Sequence, residues 1–272
     1  MPSFSLAALT ALELAPPKLI DVASACGFEQ VGLRLLAATP GGLSYPLMND
    51  REQLRETKAR LDATGIRVAD LEVVAFRPET VVRSLEAFLE TGRDLGARHT
   101  LVAAYDPDLE RFSDRFAEYC ELADRFGLTA DLEFMPWTHV PDLGTAASIV
   151  GKVSSKAAGV LIDALHFDRS AASIDDLRRI DVKRLHYWQI CDGPAERPAT
   201  TEGLIHAARE ERMFPGEGGI DLVGLAKAMP ADITISVEVP TAELAKTVDA
   251  ETRARRALRG AKAVVAAASA IA

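Results

Sequence analysis

Residues 158–167 read AGVLIDALHF, an apolar and β-rich run that carries one acid, Asp163. Three further runs share this pattern, with Glu133 in LTADLEFMPW (128–137), Gln189 in RLHYWQICD (184–192) and Glu238 in ITISVEVP (233–240). A polar or charged group in a buried strand is costly unless a partner or a metal ion compensates it. The four runs therefore predict buried strands whose oxygen-bearing side chains converge on one site.

The first half of the chain shows the same alternation of strands and helices. Apolar strand-like runs cover 4–9, 30–36, 67–76 and 99–105, and helical patterns separate them. Near-continuous hydrophobic strands separated by helices indicate a parallel sheet covered on both faces. Eight such units without a break in composition predict an α/β fold, a single (β/α)8 TIM-barrel domain spanning residues 1–272. A doubly wound open sheet is the alternative, but no GxGxxG follows the first strand.

Charge and cysteine content restrict the class of protein. The formal net charge is −9, which argues against nucleic acid or an anionic membrane surface as a partner. No apolar run approaches the roughly 18 residues of a membrane span, and the N-terminus lacks signal-peptide features. The 3 cysteines are widely spaced, as in reduced proteins. We therefore expect a cytoplasmic enzyme.

Two long segments follow predicted strands two and seven. They cover about residues 37–49 and 193–221, and the second contains a short helical pattern. In a barrel, loops after strands lie on the active face and form lids or substrate walls. Simple surface excursions are the alternative interpretation.

Strand alternation predicts which side chains point inward. Glu133 shares a face with Asp131, whereas Gln189 lies on the face opposite His186. Arg34 and Glu72 also lie towards the ends of their strands, where barrel active sites are built. We expect His186 to be a packed core histidine.

Oxygen donors dominate the predicted site. The carboxylates of Glu133, Asp163 and Glu238 and the amide of Gln189 are hard ligands that suit Mn²⁺ or Mg²⁺. No cysteine contributes, which argues against a structural zinc site.

With these residues the chain resembles the xylose-isomerase-like TIM-barrel superfamily of sugar isomerases and epimerases. The matching features are Glu133, the D-x-x-H of Asp163 to His166, Gln189 and Glu238. The resemblance covers essentially the whole chain but does not name a substrate. The strand-seven ligand is often histidine in that superfamily. A glutamine there resembles the hydroxypyruvate-isomerase-like and 3-dehydroshikimate-dehydratase-like branches.

The resemblance and the ligand set together imply a reaction class. A divalent metal polarises a ketone, and a carboxylate then removes the α-proton to give an enediolate intermediate. Glu133 and Glu238, on different strands, are the expected catalytic residues. Proton return gives isomerisation or epimerisation of a small polyhydroxylated or keto-acid substrate. Loss of a β-hydroxyl makes the enzyme a lyase of the 3-dehydroshikimate or inosose dehydratase type instead.

Seven further residues are candidate substrate contacts. They are His166, Arg169, Arg212, Glu217, Arg34, Glu72 and Trp137. Arg212 and Glu217 belong to RMFPGEGGIDL, which resembles a segment that closes over substrate in the superfamily. The alternative interpretations are solvated surface arginines for Arg169 and Arg212, and a structural ion pair between Arg34 and Glu72.

Two other classes remain as hypotheses. An AP-endonuclease-like hydrolase shares the barrel but needs a histidine-rich site and a basic DNA-binding face, and this chain is acidic with 5 histidines. A non-catalytic sugar-binding barrel is the other hypothesis. Barrels of this kind often pair through outer helices, so a homodimer is a further expectation.

Overall fold

A closed barrel of parallel strands forms the centre of the computed structural model, which describes residues 2–270. The strands are β1 (Phe4–Leu6), β2 (Gln30–Arg34), β3 (Arg67–Phe76), β4 (His99–Ala104), β5 (Thr129–Glu133), β6 (Ala158–Asp163), β7 (Tyr187–Ile190) and β8 (Thr234–Val237). They pair in chain order, and β1 pairs with β8 to close the sheet. The predicted (β/α)8 fold is confirmed. Residues 1, 271 and 272 of the predicted domain lie outside the described residues.

Helices connect the strands around the barrel. They are α1 (Pro16–Cys26), α2 (Arg51–Thr64), α3 (Glu86–Asp94), α4 (Leu109–Arg125), α5 (Leu143–Val150), α6 (Ala164–Arg169), α7 (Ile174–Leu177), α8 (Thr201–Arg209), α9 (Leu222–Ala228), α10 (Ala242–Ala245) and α11 (Ala250–Ala270). Local sequence sets their ends. Proline begins α1, and Gly27 ends it with a φ of 85° that glycine adopts without strain. The Asp50 side chain caps α2 by accepting from two backbone amides.

Strand alternation separates two apolar regions. Outward side chains such as Leu33, Leu132 and Val237 join the large core between strands and helices. A smaller cluster, which includes Leu101, Leu161 and Tyr187, fills the barrel interior. Polar inward residues therefore share the interior with only a few apolar side chains.

Most strands are shorter than the apolar runs that predicted them, and two of these differences bear on the site. The first strand ends at Leu6 instead of residue 9, because Ala8–Ala11 form a 3-10 turn. Strand six ends at Asp163, whose carboxylate accepts from the His166 amide at 3.0 Å and caps α6. His166 therefore lies on a helix that begins directly at the end of the strand.

Within residues 2–270, no helix has both the length and the apolar character needed to cross a membrane.

Candidate active site

Four predicted residues lie together at the carboxyl end of the barrel. Glu133 and Asp163 are the last residues of β5 and β6, Gln189 lies near the end of β7, and Glu238 follows β8. All four are buried. Since parallel strands of one barrel end on the same face, the fold converts four separated positions into one cluster.

Arg212 links two of these carboxylates from the segment after α8. Its guanidinium is 2.6 Å from Oδ2 of Asp163 and 2.9 Å from Oε2 of Glu238. Its Nε also donates to the carbonyl of Ala208 at 2.8 Å. Only 2% of the Arg212 side chain is exposed, so the solvated-surface interpretation does not hold.

Asp192 holds the backbone of the segment that follows Arg212. The Asp192 carboxylate accepts hydrogen bonds from the backbone amides of Gly193, Gly216, Gly218 and Ile220, at 2.8–3.1 Å. The PGEG turn thus wraps around one buried acid. Gly216 has a φ of 86°, a conformation that favours glycine. The motif fixes the backbone that presents Arg212 to the site.

Gln189 keeps one polar atom free. Its Nε2 donates to Oε1 of Glu238 at 3.0 Å, whereas its buried Oε1 has no hydrogen-bond partner within the described part of the chain. A buried amide oxygen without a partner is unfavourable unless another ligand uses it. This free oxygen fits a role as a metal ligand.

His166 lies beside Glu133 and Asp163. Its Nε2 is 3.7 Å from Oε1 of Glu133, and its ring packs edge-on against Trp137 with centroids 5.0 Å apart. Burial lowers the pKa of His166 to about 4, so the imidazole is neutral at pH 7 and can accept a hydrogen bond or bind a metal.

The donor set fits a divalent cation. Ligand atoms of Glu133, Asp163 and His166 all lie within 4.8 Å of one another. The predicted set differs, because it takes Gln189 and Glu238 in place of His166. Both sets share Glu133 and Asp163, whereas Glu238 pairs with Arg212 and is not part of the close group. Oxygen-rich ligands of this kind suit Mn²⁺ or Mg²⁺, and a histidine nitrogen also suits Zn²⁺.

The electrostatic environment gives the three carboxylates different pKa values. Burial, together with repulsion from Asp163, raises the pKa of Glu133 well above its usual range. Burial also raises the pKa of Glu238 to about 7, although Arg212 opposes the shift. Burial would raise the pKa of Asp163 as well, but Arg212 and His166 outweigh it and lower that pKa. Asp163 is therefore the stable anion, and the two glutamates are suited to exchanging protons.

A cavity of about 170 Å³, open to solvent at its mouth, leads to this cluster. Glu133, Glu238, His166 and Arg212 form its polar floor. Its walls are mostly apolar, with Leu9, Leu43, Val73, Leu101, Met135 and Trp137 among the lining residues. A mostly apolar lining with a few polar groups at the floor is typical of small-molecule sites.

Arg34 and Glu72 form a buried ion pair at 2.5 Å. Oε1 of Glu72 also accepts from the Ala8 amide at 3.1 Å. Arg34 lines the cavity, but Glu72 does not. The structure therefore brings Arg34 to the site, and Glu72 acts as the partner that fixes it.

Besides Glu72, two further predicted substrate contacts, Arg169 and Glu217, do not line the cavity. Arg169 is buried and donates to Asp168 and to the Pro194 carbonyl, both at 2.6 Å. Glu217 is exposed and pairs with Arg256 of α11 at 2.6 Å. In both cases the charged group is bound by other protein groups outside the cavity.

His186 lies before β7, at the amino end of the barrel, and is half-buried beside a carboxylate, so it is not the packed core histidine that was expected. Its Nδ1 is 2.7 Å from Oδ1 of Asp131. Sequence reasoning missed Tyr105 and Arg209, which also line the cavity. Tyr105 follows β4 directly, so its position at a strand end was the signal that could have identified it.

The fold and the site together define a (β/α)8 barrel with a carboxylate-rich centre at the ends of its last four strands. The chain belongs to the family described as "Xylose isomerase-like TIM barrel", which matches residues 20–264.

Sequence relatives include proteins named inosose isomerase. The protein from Bacillus velezensis is 25% identical over 185 residues, which cover 63% of this chain and 64% of that protein. The Bacillus subtilis protein is 25% identical over 152 residues, which cover 52% of each chain. The match thus spans between half and two thirds of the length of these relatives.

Solved structures share the fold. The IolI protein with a zinc atom superposes with a TM-score of 0.81 at 22% identity and covers 97% of this chain and 98% of its own. A D-allulose 3-epimerase from Methylomonas sp. gives a TM-score of 0.69 at 16% identity, with coverage of 97% and 98%. At these identities the likeness establishes the fold alone.

Proposed function

We propose that this protein is a divalent-metal-dependent isomerase or epimerase of a small sugar or keto acid, acting through an enediolate intermediate. The observation that carries the proposal is the pair of buried glutamates, Glu133 and Glu238, which line one cavity from β5 and from the end of β8. Family membership and the inosose isomerase relatives support the same reaction class.

The metal has one chemical role in this proposal. A divalent cation held by Glu133, Asp163, Gln189 and Glu238 would polarise a ketone and make the neighbouring C–H more acidic. Mn²⁺ and Mg²⁺ fit the oxygen donors.

The protein side chains supply the proton transfers. Burial raises the pKa values of both Glu133 and Glu238, which makes each a better proton acceptor than an exposed glutamate. Because they approach from different strands, removal by one and return by the other inverts a carbon centre. Arg212, held against Asp163, would bind the oxygens of the substrate, and neutral His166 would accept or share a substrate hydroxyl proton.

Metal binding is the first test. Mn²⁺ titrated into chelator-treated protein should bind one site, and Glu133→Gln and Glu238→Gln should each weaken that binding. Glu217→Gln is the matched control, since that side chain is exposed and pairs with Arg256. Absence of Mn²⁺ binding, or equal affinity in all four proteins, would remove the basis of the proposal.

Proton exchange is the second test. Incubation in D₂O with inosose, D-allulose or hydroxypyruvate should label the carbon next to the ketone, and Glu133→Gln should abolish the labelling. Product analysis then separates isomer and epimer from a dehydrated product, which would instead indicate a lyase.

A further inference from the structure

The cavity lining has a second polar group, here called the rim, that consists of Arg209 and Tyr105. Arg209, the last residue of α8, donates from Nη2 to the hydroxyl of Tyr105 at 3.1 Å. Both residues line the cavity, and both are half-buried. They come from the loops after β7 and β4, so the fold brings them together as it does the floor residues.

Arg209 differs from the other arginines that line the cavity. Arg34 pairs with Glu72, and the Arg212 guanidinium contacts the carboxylates of Asp163 and Glu238. By contrast, no carboxylate in residues 2–270 lies within ion-pair distance of Arg209. Its charge is therefore available to a ligand at this rim.

Arg77 adds positive charge beside the same tyrosine. Its guanidinium carbon lies 4.9 Å from the centre of the Tyr105 ring, and its Nη2 donates to the Ala38 carbonyl at 3.1 Å. Arg77 also lacks a carboxylate partner in the described chain. Two guanidinium groups thus flank Tyr105 without a neutralising anion.

Part of the cavity wall is apolar. Val73, Leu101, Ala103 and Met135 line the cavity and offer no side-chain hydrogen-bond donor or acceptor of the kind that sugar hydroxyls need. A neutral sugar with hydroxyls on every carbon would leave several of them unpaired in this section, which is unfavourable.

We propose that the rim formed by Arg209 and Tyr105 binds an anionic group of the substrate, a carboxylate or a phosphate. This inference rests on the proposed function. Guanidinium groups bind both anions through paired N–H donors, and the tyrosine hydroxyl supplies a further donor. The substrate class is then an acidic or phosphorylated sugar, or a keto acid, and not a neutral sugar.

Ligand binding without turnover tests this proposal. D-Glucose, D-glucuronate and D-glucose 6-phosphate form a matched set that differs mainly in one terminal group. Binding to chelator-treated protein is followed by quenching of Trp137, which lines the cavity. At least one anion should bind about tenfold more tightly than glucose, and the tighter one identifies carboxylate or phosphate as the group.

Variants test whether the rim residues cause the tighter binding of the anion. Arg209→Gln should remove the preference for the anion, and Tyr105→Phe should reduce it. Arg178→Gln, at an exposed arginine that pairs with Asp175, should retain it. Circular dichroism checks that each variant folds.

Three results would overturn the proposal: equal affinity for the three ligands, no binding of either anion, or a preference that survives in Arg209→Gln. The D₂O exchange test of the proposed function is independent of this measurement. An enzyme that exchanges protons but shows no anion preference refutes only the rim inference, and the reverse result refutes only the proposed reaction.

Discussion

The guanidinium of Arg212 lies 2.6 Å from the carboxylate of Asp163 at the floor of the cavity. Both side chains are almost fully buried, and the same guanidinium reaches Glu238. Removing one partner of a buried ion pair leaves an uncompensated charge. Arg212 is therefore expected to stabilise the metal-free protein as well as to contact substrate.

Arg212→Gln should lower the free energy of unfolding of the chelator-treated protein by about 3–5 kcal/mol, because Asp163 and Glu238 lose their counter-charge. Added Mn²⁺ should recover part of this loss. Thermal unfolding with chelator and with Mn²⁺ measures both effects. Arg256→Gln breaks an exposed pair and should cost less than about 1 kcal/mol. Similar small losses in the two variants would contradict a structural role for Arg212.

The two possible ligand sets predict different effects on metal affinity. Gln189→Met removes the free amide oxygen and should weaken Mn²⁺ binding by at least about tenfold, since even indirect partners of metal ligands have effects of that size. His166→Asn should have a smaller effect. Calorimetric titration of both variants measures this. The opposite ranking would assign the metal to the set that contains His166.

The buried carboxyl group of Asp70 should make the stability of the fold depend on pH. Both of its carboxylate oxygens are buried without a hydrogen-bond partner among residues 2–270. Burial, with repulsion from Glu72, raises its pKa well above the usual range. The folded state therefore holds the Asp70 proton to higher pH than the unfolded chain, which releases it near pH 4. As pH rises from about 4 towards the raised folded pKa, this group makes the fold progressively less stable.

Asp70→Asn should remove that pH dependence, because the amide has the shape of the protonated acid and carries no charge. The variant should be more stable than the parent by about 1–3 kcal/mol at pH 8 and nearly equal at pH 4. Urea unfolding across this range is the measurement. Asp131→Asn is the control and should destabilise, because Asp131 pairs with His186 at 2.7 Å. A uniform loss of stability in Asp70→Asn would refute the interpretation.

Gly32 provides space for these interior carboxylates. A Cβ at this position would lie 2.9 and 3.0 Å from the Asp70 oxygens and 3.1 Å from Oε1 of Glu72. Gly32→Ala should therefore destabilise the protein by about 1–3 kcal/mol through overpacking.

Unfolding measurements on a double variant test the stated cause. The cost of Gly32→Ala should shrink when Asp70 is replaced by alanine, because the crowded atoms are then absent. Gly144→Ala, at an exposed helical position where the Cβ would approach only Oδ1 of Asp142 at 3.3 Å, is the control and should cost less than Gly32→Ala. An unchanged cost in the double variant would show that the strain arises elsewhere.

The amino-acid sequence by itself determined the barrel and the central cluster. Period-two alternation in apolar runs placed Glu133, Gln189 and Glu238 on inward faces near strand ends, and one barrel brings all strand ends to one side. The D-x-x-H spacing likewise kept His166 beside Asp163. These properties are local, so the sequence alone was sufficient to predict them.

Tertiary structure alone decided which charged groups outside the strands face the cavity. Arg169, Arg212 and Glu217 are all charged residues outside the strands, and the sequence predicted each as a substrate contact. Their burial and their partners nevertheless give them different roles. Arg212 reaches Asp163, whereas Glu217 turns outward to Arg256. Loop side chains have no fixed period, so their direction depends on contacts with residues distant in the chain, and the same is true of Arg209 and Tyr105 at the rim.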